Sequence, residues 1–100
     1  MSLSINKKID DATTLVLSGR LDTVTAPKFN EALEEILPTA TELILDLEKL
    51  EYISSAGLRI ILKAQKIMSS KGKLKLIHVN KSVMEVFDIT GFTDLLTIES

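Results

Sequence analysis

Ser54-Ser55-Ala56-Gly57 is the segment of this chain with the most chemical information. Two adjacent hydroxyls stand between an apolar stretch ending in Tyr52-Ile53 and an amphipathic run that begins at Leu58. The first four N–H groups of a helix have no intrahelical acceptor, so a hydroxyl there accepts from them and caps the helix. Capping by itself explains a serine at such a place and contributes about 1 kcal/mol. Anion binding is the next chemistry open to the position, because free N–H groups and the helix dipole favour negative charge. A Walker loop is excluded, since its glycine spacing and Gly-Lys-Ser/Thr ending are absent. Ala56 and Gly57 leave the backbone approachable, and Gly57 costs a helix roughly 1 kcal/mol relative to alanine. A close approach is therefore expected there, by another protein, a phosphate or a neighbouring loop.

Other reactive side chains are few. There is one histidine, His78, and no cysteine, which removes disulfides, thiol chemistry and thiolate metal sites. A serine nucleophile needs a base, and nothing in the spacing brings His78 to Ser55; a lone histidine at a strand end reads as structural or exposed. Asp22 and Asp46 are acidic, but two carboxylates specify no reaction, and Asp46 reads as bounding a strand. Tyr52 reads as a packing residue, Phe87 and Phe92 as sealing one end of the core, and Lys71, Lys73 and Lys75 as a solvated turn and strand edge. The formal charge of −2 comes from intermixed acids and bases, where a nucleic-acid binder would show a basic stripe. The expectation is a non-enzymatic module with no metal and no cofactor.

The elements that must position these residues follow from periodicity. One hundred residues, 45% hydrophobic and 26% charged, make one domain with one core. Leu3, Ile5 and Ile9 alternate with polar residues and predict a first strand. After a turn at Asp10-Asp11 comes a β-branched second strand over Thr13–Ser18, and Gly19-Arg20-Leu21-Asp22 then leaves the sheet. Thr23 or Thr25 caps a helix with Pro27 in its first turn, its stripe Phe29, Leu33, Ile36 and Leu37, and its end at Pro38. Leu43-Ile44-Leu45-Asp46-Leu47 reads as a central strand covered on both faces. The second helix carries Leu58, Ile61, Leu62, Gln65 and Met68, widened by Ala64 and Ile67, and breaks at Gly72. A strand over Leu74–Ile77 ends near His78-Val79. A third helix capped by Asn80 or Ser82 follows, closing at Thr90-Gly91, and then a last strand or packed tail. Strands alternating with helices imply an α/β fold, a mostly parallel central sheet with an added N-terminal strand and helices packed against it. No apolar run approaches the roughly 20 residues of a membrane span. The segment Met1-Ser2-Leu3-Ser4-Ile5-Asn6-Lys7-Lys8 does not read as a signal peptide. The expected location is the cytoplasm.

Three motifs in order carry a family resemblance. Gly19-Arg20-Leu21-Asp22 with Thr25-Ala26-Pro27 resembles the first loop of the STAS family, the bacterial anti-sigma factor antagonists and their relatives. Leu43-Ile44-Leu45-Asp46-Leu47 followed by Tyr52-Ile53-Ser54-Ser55-Ala56-Gly57-Leu58 resembles its central strand and phosphorylation loop, and Phe87-Asp88-Ile89-Thr90-Gly91-Phe92 its closing segment. The resemblance spans nearly the whole chain, residues 1–100 as one STAS-like domain.

It implies an anti-sigma factor antagonist that binds its partner, an anti-sigma factor with serine kinase activity, while unphosphorylated, and releases it once Ser55 is phosphorylated. A counteracting phosphatase is implied as well, with no direct nucleic-acid contact and no membrane insertion. The partner face expected on this basis comprises Asp22, Thr23, Ser54, Ser55, Ala56, Gly57 and Arg59. Asp22 is a candidate contact for a basic group, and Arg59 for the phosphate or an acidic group. The usual Asp-Ser-Ser-Gly of the family reads Ser54-Ser55-Ala56-Gly57 here, without the acid and the second serine. Alternative readings are a STAS subunit of a stress-signalling complex or of a lipid or anion transport system, and a small-molecule or nucleotide-binding module.

Overall fold

Leu3 and Ile5 on strand β1 (Leu3–Ile9) sit opposite Gly19 and Leu17 on strand β2 (Thr13–Leu21), in an antiparallel hairpin that turns Leu3, Ile5, Leu15 and Leu17 to one face. This is a computed structural model describing residues 3–99. Met1 and Ser2, part of the segment read above for a leader, lie outside the described residues, as does Ser100. Helix α1 (Ala26–Ile36) leads to β3 (Glu42–Ile53), α2 (Ser55–Ser69) to β4 (Lys73–Ile77), and α3 (Lys81–Thr90) with a 3₁₀ turn to the short β5 (Ile98–Glu99). The strands lie in the order β1-β2-β3-β4-β5, and every pair after the first is parallel. Parallel neighbours need a crossover, and each of the three helices supplies one.

The apolar faces of all three helices enter a single core with Leu15, Leu17, Leu43, Leu45, Leu47, Leu74 and Leu76 of the sheet. Phe29 of α1 and Phe87 of α3 are fully buried there, while Phe92 is half-buried. The expectation that β3 is covered on both faces is corrected. Leu43, Leu45 and Leu47 are sealed, but the alternating Ile44 and Asp46 are only half-buried, as are Val16 on β2 and Ile77 on β4. Because every helix packs on the same side, the other face of the sheet stays open. Asp46 lies within β3 on this open face and does not bound the strand.

Both central strands run further than their apolar stretches. β2 continues through Gly19-Arg20-Leu21, with register shifts between Val16 and Ser18 and between Gly19 and Arg20. Gly19 adopts φ 102°, a conformation open to glycine without a Cβ clash, as a bulge of this kind demands. β3 continues past the exposed Glu48, Lys49 and Glu51 to Ile53, held by its pairing with β2. Leu21 and Ile53 are thus register partners at the same end of the sheet, which brings the two loops of interest together.

Of the two proposed caps for α3, Asn80 is the one used, accepting from the Val83 N–H at 3.0 Å. On α2, Ile67 is not part of the buried stripe. It lies exposed on the rim of an open groove of about 300 Å³ between α1 and α2. Gly72 is more than a helix breaker, because a Cβ there would meet the Thr41 carbonyl oxygen at 1.9 Å.

Candidate functional site

The β2–α1 and β3–α2 loops are joined by a backbone bond: the Ser54 N–H donates to the Leu21 carbonyl at 2.9 Å. Two further features hold them in register. Leu21 is fully buried, and Gly57 lies buried against it, so close that a Cβ on Gly57 would stand 2.6 Å from Leu21 Cγ and 3.1 Å from Ile53 Cγ1. Of the bodies expected to approach Gly57, the neighbouring loop is the one that does. Gly57 is itself buried, and its lack of a side chain serves the contact with Leu21 and Ile53.

The two serines divide the roles that sequence alone left merged. Ser54 is the N-cap of α2: its backbone is extended, at φ −98° and ψ 173°, and its hydroxyl accepts from the Gly57 N–H at 3.4 Å. Ser55 is the first helical residue and is exposed, and its hydroxyl makes no hydrogen bond among the described residues. With capping assigned to Ser54, the Ser55 hydroxyl stands free at the positive end of a helix whose first turn has no acidic side chain. Arg59 is exposed and one helical turn on from Ser55, on the same face. Ala56 is half-buried at the margin of the core.

Across the junction, the first loop is built by Asp22, and of the two threonines proposed as the α1 cap Thr25 is the N-cap residue. Thr25 makes no side-chain cap bond to the helix. Its hydroxyl accepts from the Asp22 N–H at 2.9 Å and donates to the Arg20 carbonyl at 2.8 Å. The Asp22 carboxylate closes the loop ahead of the helix, accepting from the Val24 and Thr25 N–H groups, both at 3.0 Å. The Thr25 N–H is the main reason that the Asp22 carboxyl lies below its ordinary pKa; the Thr25 hydroxyl, the Val24 N–H and the Arg20 charge act the same way, and desolvation opposes them. Asp22 therefore stays ionised, and its carboxylate is largely enclosed in its own loop while Thr23 beside it is exposed.

The structure adds neighbours that spacing did not single out. Val24, at the tip of the first loop, is 81% exposed, a large apolar side chain held out into water. The one signal for it in sequence was a valine between threonines where a capping turn calls for polar residues. Tyr52 is not a core packing residue. It is exposed on the open face, with the Arg20 guanidinium 4.4 Å from its ring centroid. His78 is paired with Asp46 at 3.2 Å, so neither serine has it as a hydrogen-bonded base.

The family model described as the STAS domain matches residues 4–100. This chain belongs to the STAS domain family. The anti-sigma-B factor antagonist of Listeria monocytogenes is 29% identical to it over 102 residues, spanning 100% of this chain and 90% of that protein. BtrV of Bordetella bronchiseptica, whose name proposes it as an anti-sigma factor antagonist, is 33% identical, spanning 98% of this STAS domain and 85% of its own length. Among solved structures, the anti-sigma factor antagonist SpoIIAA in its unphosphorylated form has a TM-score of 0.79 at 17% identity, covering 99% of this chain and 89% of that one. Its phosphorylated form has a TM-score of 0.73 at 16% identity, with coverages of 99% and 92%. Among the described residues, no helix of this STAS domain is long and apolar enough to cross a membrane.

Proposed function

We propose that this STAS domain is an anti-sigma factor antagonist: unphosphorylated, it binds and sequesters an anti-sigma factor with serine kinase activity, and phosphorylation of Ser55 ends the binding. The observation that carries this reading is the split between the serines. Ser54 satisfies the helix cap, so the exposed Ser55 hydroxyl has no structural task to explain it. The names of the Listeria and Bordetella relatives give the class of partner. SpoIIAA, solved in two phosphorylation states, shows that a protein of this fold accepts such a modification.

Binding uses the joined face: Thr23 and Val24 from the first loop, Ser54, Ser55, Ala56 and Arg59 from the second, and Asp22 and Gly57 as the residues that give the face its shape. Val24 adds exposed apolar area to this face, next to the exposed Thr23. A phosphate on Ser55 adds about −1.5 to −2 charges and three strong acceptors. The helix start and Arg59 one turn on stabilise it, so the domain stays folded. The same group in an interface built for a hydroxyl must shed its hydration, which disfavours docking. A phosphatase resets the state, and the setting is the cytoplasm. A binding module is supported by the pairing of the chain's one imidazole with Asp46, which leaves Ser55 without a hydrogen-bonded base.

The test is phosphorylation in vitro by a kinase-type anti-sigma factor from the same genome, read by mass spectrometry and by binding before and after. One phosphate on Ser55, none on Ser55→Ala, and loss of binding on modification are expected. Normal modification of Ser55→Ala, or equal affinity of both states, overturns the assignment.

A further inference from the structure

On the open face of the sheet, away from the serine loop in sequence, β3 and the exit of β4 bring three metal-ligating side chains together. We infer that Asp46, Glu48 and His78 form a binding site for one divalent ion of the zinc class. One ligand atom from each of the three lies within 4.8 Å of the others. The tightest pair, Asp46 Oδ1 and His78 Nδ1, is 3.2 Å apart. A tetrahedral zinc ion bound at about 2.0–2.1 Å sets its ligand atoms about 3.3 Å apart, so this pair already has chelating separation. Glu48 is exposed, with a carboxylate oxygen within 4.8 Å of the other two ligand atoms.

Two structural features hold the ligands in place. Asp46 lies on the central strand between the sealed Leu45 and Leu47, and its Oδ1 accepts from the Glu48 N–H at 3.1 Å. Outer hydrogen bonds of this kind orient metal ligands. His78 follows β4 with φ 54°, the left-handed conformation that is uncommon outside glycine, and from there its ring meets Asp46 across the strand pair. A simple ion pair needs one carboxylate. The second leaves the neutral-imidazole cluster at −2, matched to a divalent charge. An imidazole with two carboxylates suits zinc, nickel or copper, while magnesium and calcium prefer all-oxygen shells. The ion exchanges waters for the three side chains, taking the Nδ1 lone pair of a neutral His78 ring whose proton sits on Nε2, and keeps at least one water. With no cysteine and no second histidine, the chain offers no competing soft site. Bound metal would tie β3 to the turn after β4.

Calorimetric titration of the untagged protein with zinc chloride, and in parallel with magnesium chloride, tests this. The expected result is a saturable one-to-one isotherm for zinc only, a perturbed signal from the single imidazole in ¹⁵N spectra, and a melting temperature raised by about 10 °C once zinc exceeds its Kd about 100-fold. His78→Gln should weaken zinc at least about 100-fold and Glu48→Gln about 10-fold, while Glu48→Gln, an exposed substitution, melts like the parent without metal. No saturable zinc binding, or zinc binding unchanged in His78→Gln, overturns the site.

Discussion

Gly57→Ala tests the junction between the two loops. The added methyl carbon would lie 2.6 Å and 2.8 Å from Leu21 Cγ and Cδ2, and 3.1 Å from Ile53 Cγ1. Leu21 and Ile53 are both sealed in the core, at 0% and 2% exposure, so neither has room to swing aside. Overpacking of this kind costs typically 1–3 kcal/mol. Replacing glycine in a helix returns up to about 1 kcal/mol, less here because the position is in the first turn. The expected net loss is about 1 kcal/mol, a fall in melting temperature of about 4–8 °C for a domain this size. The decisive assay is a double-mutant cycle by urea denaturation. Leu21→Ala alone should cost about 2–5 kcal/mol. In that background Gly57→Ala should become neutral or stabilising, because the methyl then enters vacated space and the helix propensity acts unopposed. If Gly57→Ala stabilises the parent, or costs the same with and without Leu21, the packing argument is wrong.

Three further outcomes follow from the caps and loops. Ser54→Ala should lose about 0.5–1 kcal/mol, at the low end of capping because the bond is long at 3.4 Å, and Ser54→Asp should exceed the parent because an anion also suits the helix start; a urea midpoint for the aspartate below that of the parent contradicts this. Asp22 titrates below its unfolded value in the folded protein, so its contribution to stability is complete above about pH 3.9 and disappears as pH falls through the lowered folded pKa. Urea midpoints measured from about pH 6 downward should show Asp22→Asn less stable at the top of the range and converging with the parent at the bottom. Asn80 accepts from the Val83 N–H and donates to the Leu50 carbonyl at 2.6 Å, so Asn80→Asp, an equal N-cap by propensity, should still destabilise by about 1–3 kcal/mol; an unchanged denaturation midpoint would show the donated bond to be idle.

The order of strands and helices could be read from this sequence because it is written locally. Alternation at Leu3 and Ile5, the 3.6-residue stripe of Phe29, Leu33 and Ile36, and the breakers Pro38 and Gly91 each act within a few residues of themselves. The serine pair before Leu58 was legible as a helix start for the same reason, and the three motifs pointed to the STAS family. Which serine caps and which stands free depended on the backbone angles of Ser54, and both residues have the same hydroxyl. Charges at Glu48, Lys49 and Glu51 interrupt the apolar pattern, so the reach of β3 to Ile53 was visible only in its pairing with β2. Likewise a run such as Leu43–Leu47 suits a strand covered on one face or on both, and the choice was made by where the three helices pack. Gly57 against Leu21, Tyr52 beneath Arg20, and His78 against Asp46 are contacts between residues distant in the chain. Local propensity carries no information about them, because their energies exist only once the sheet has brought its strands into register.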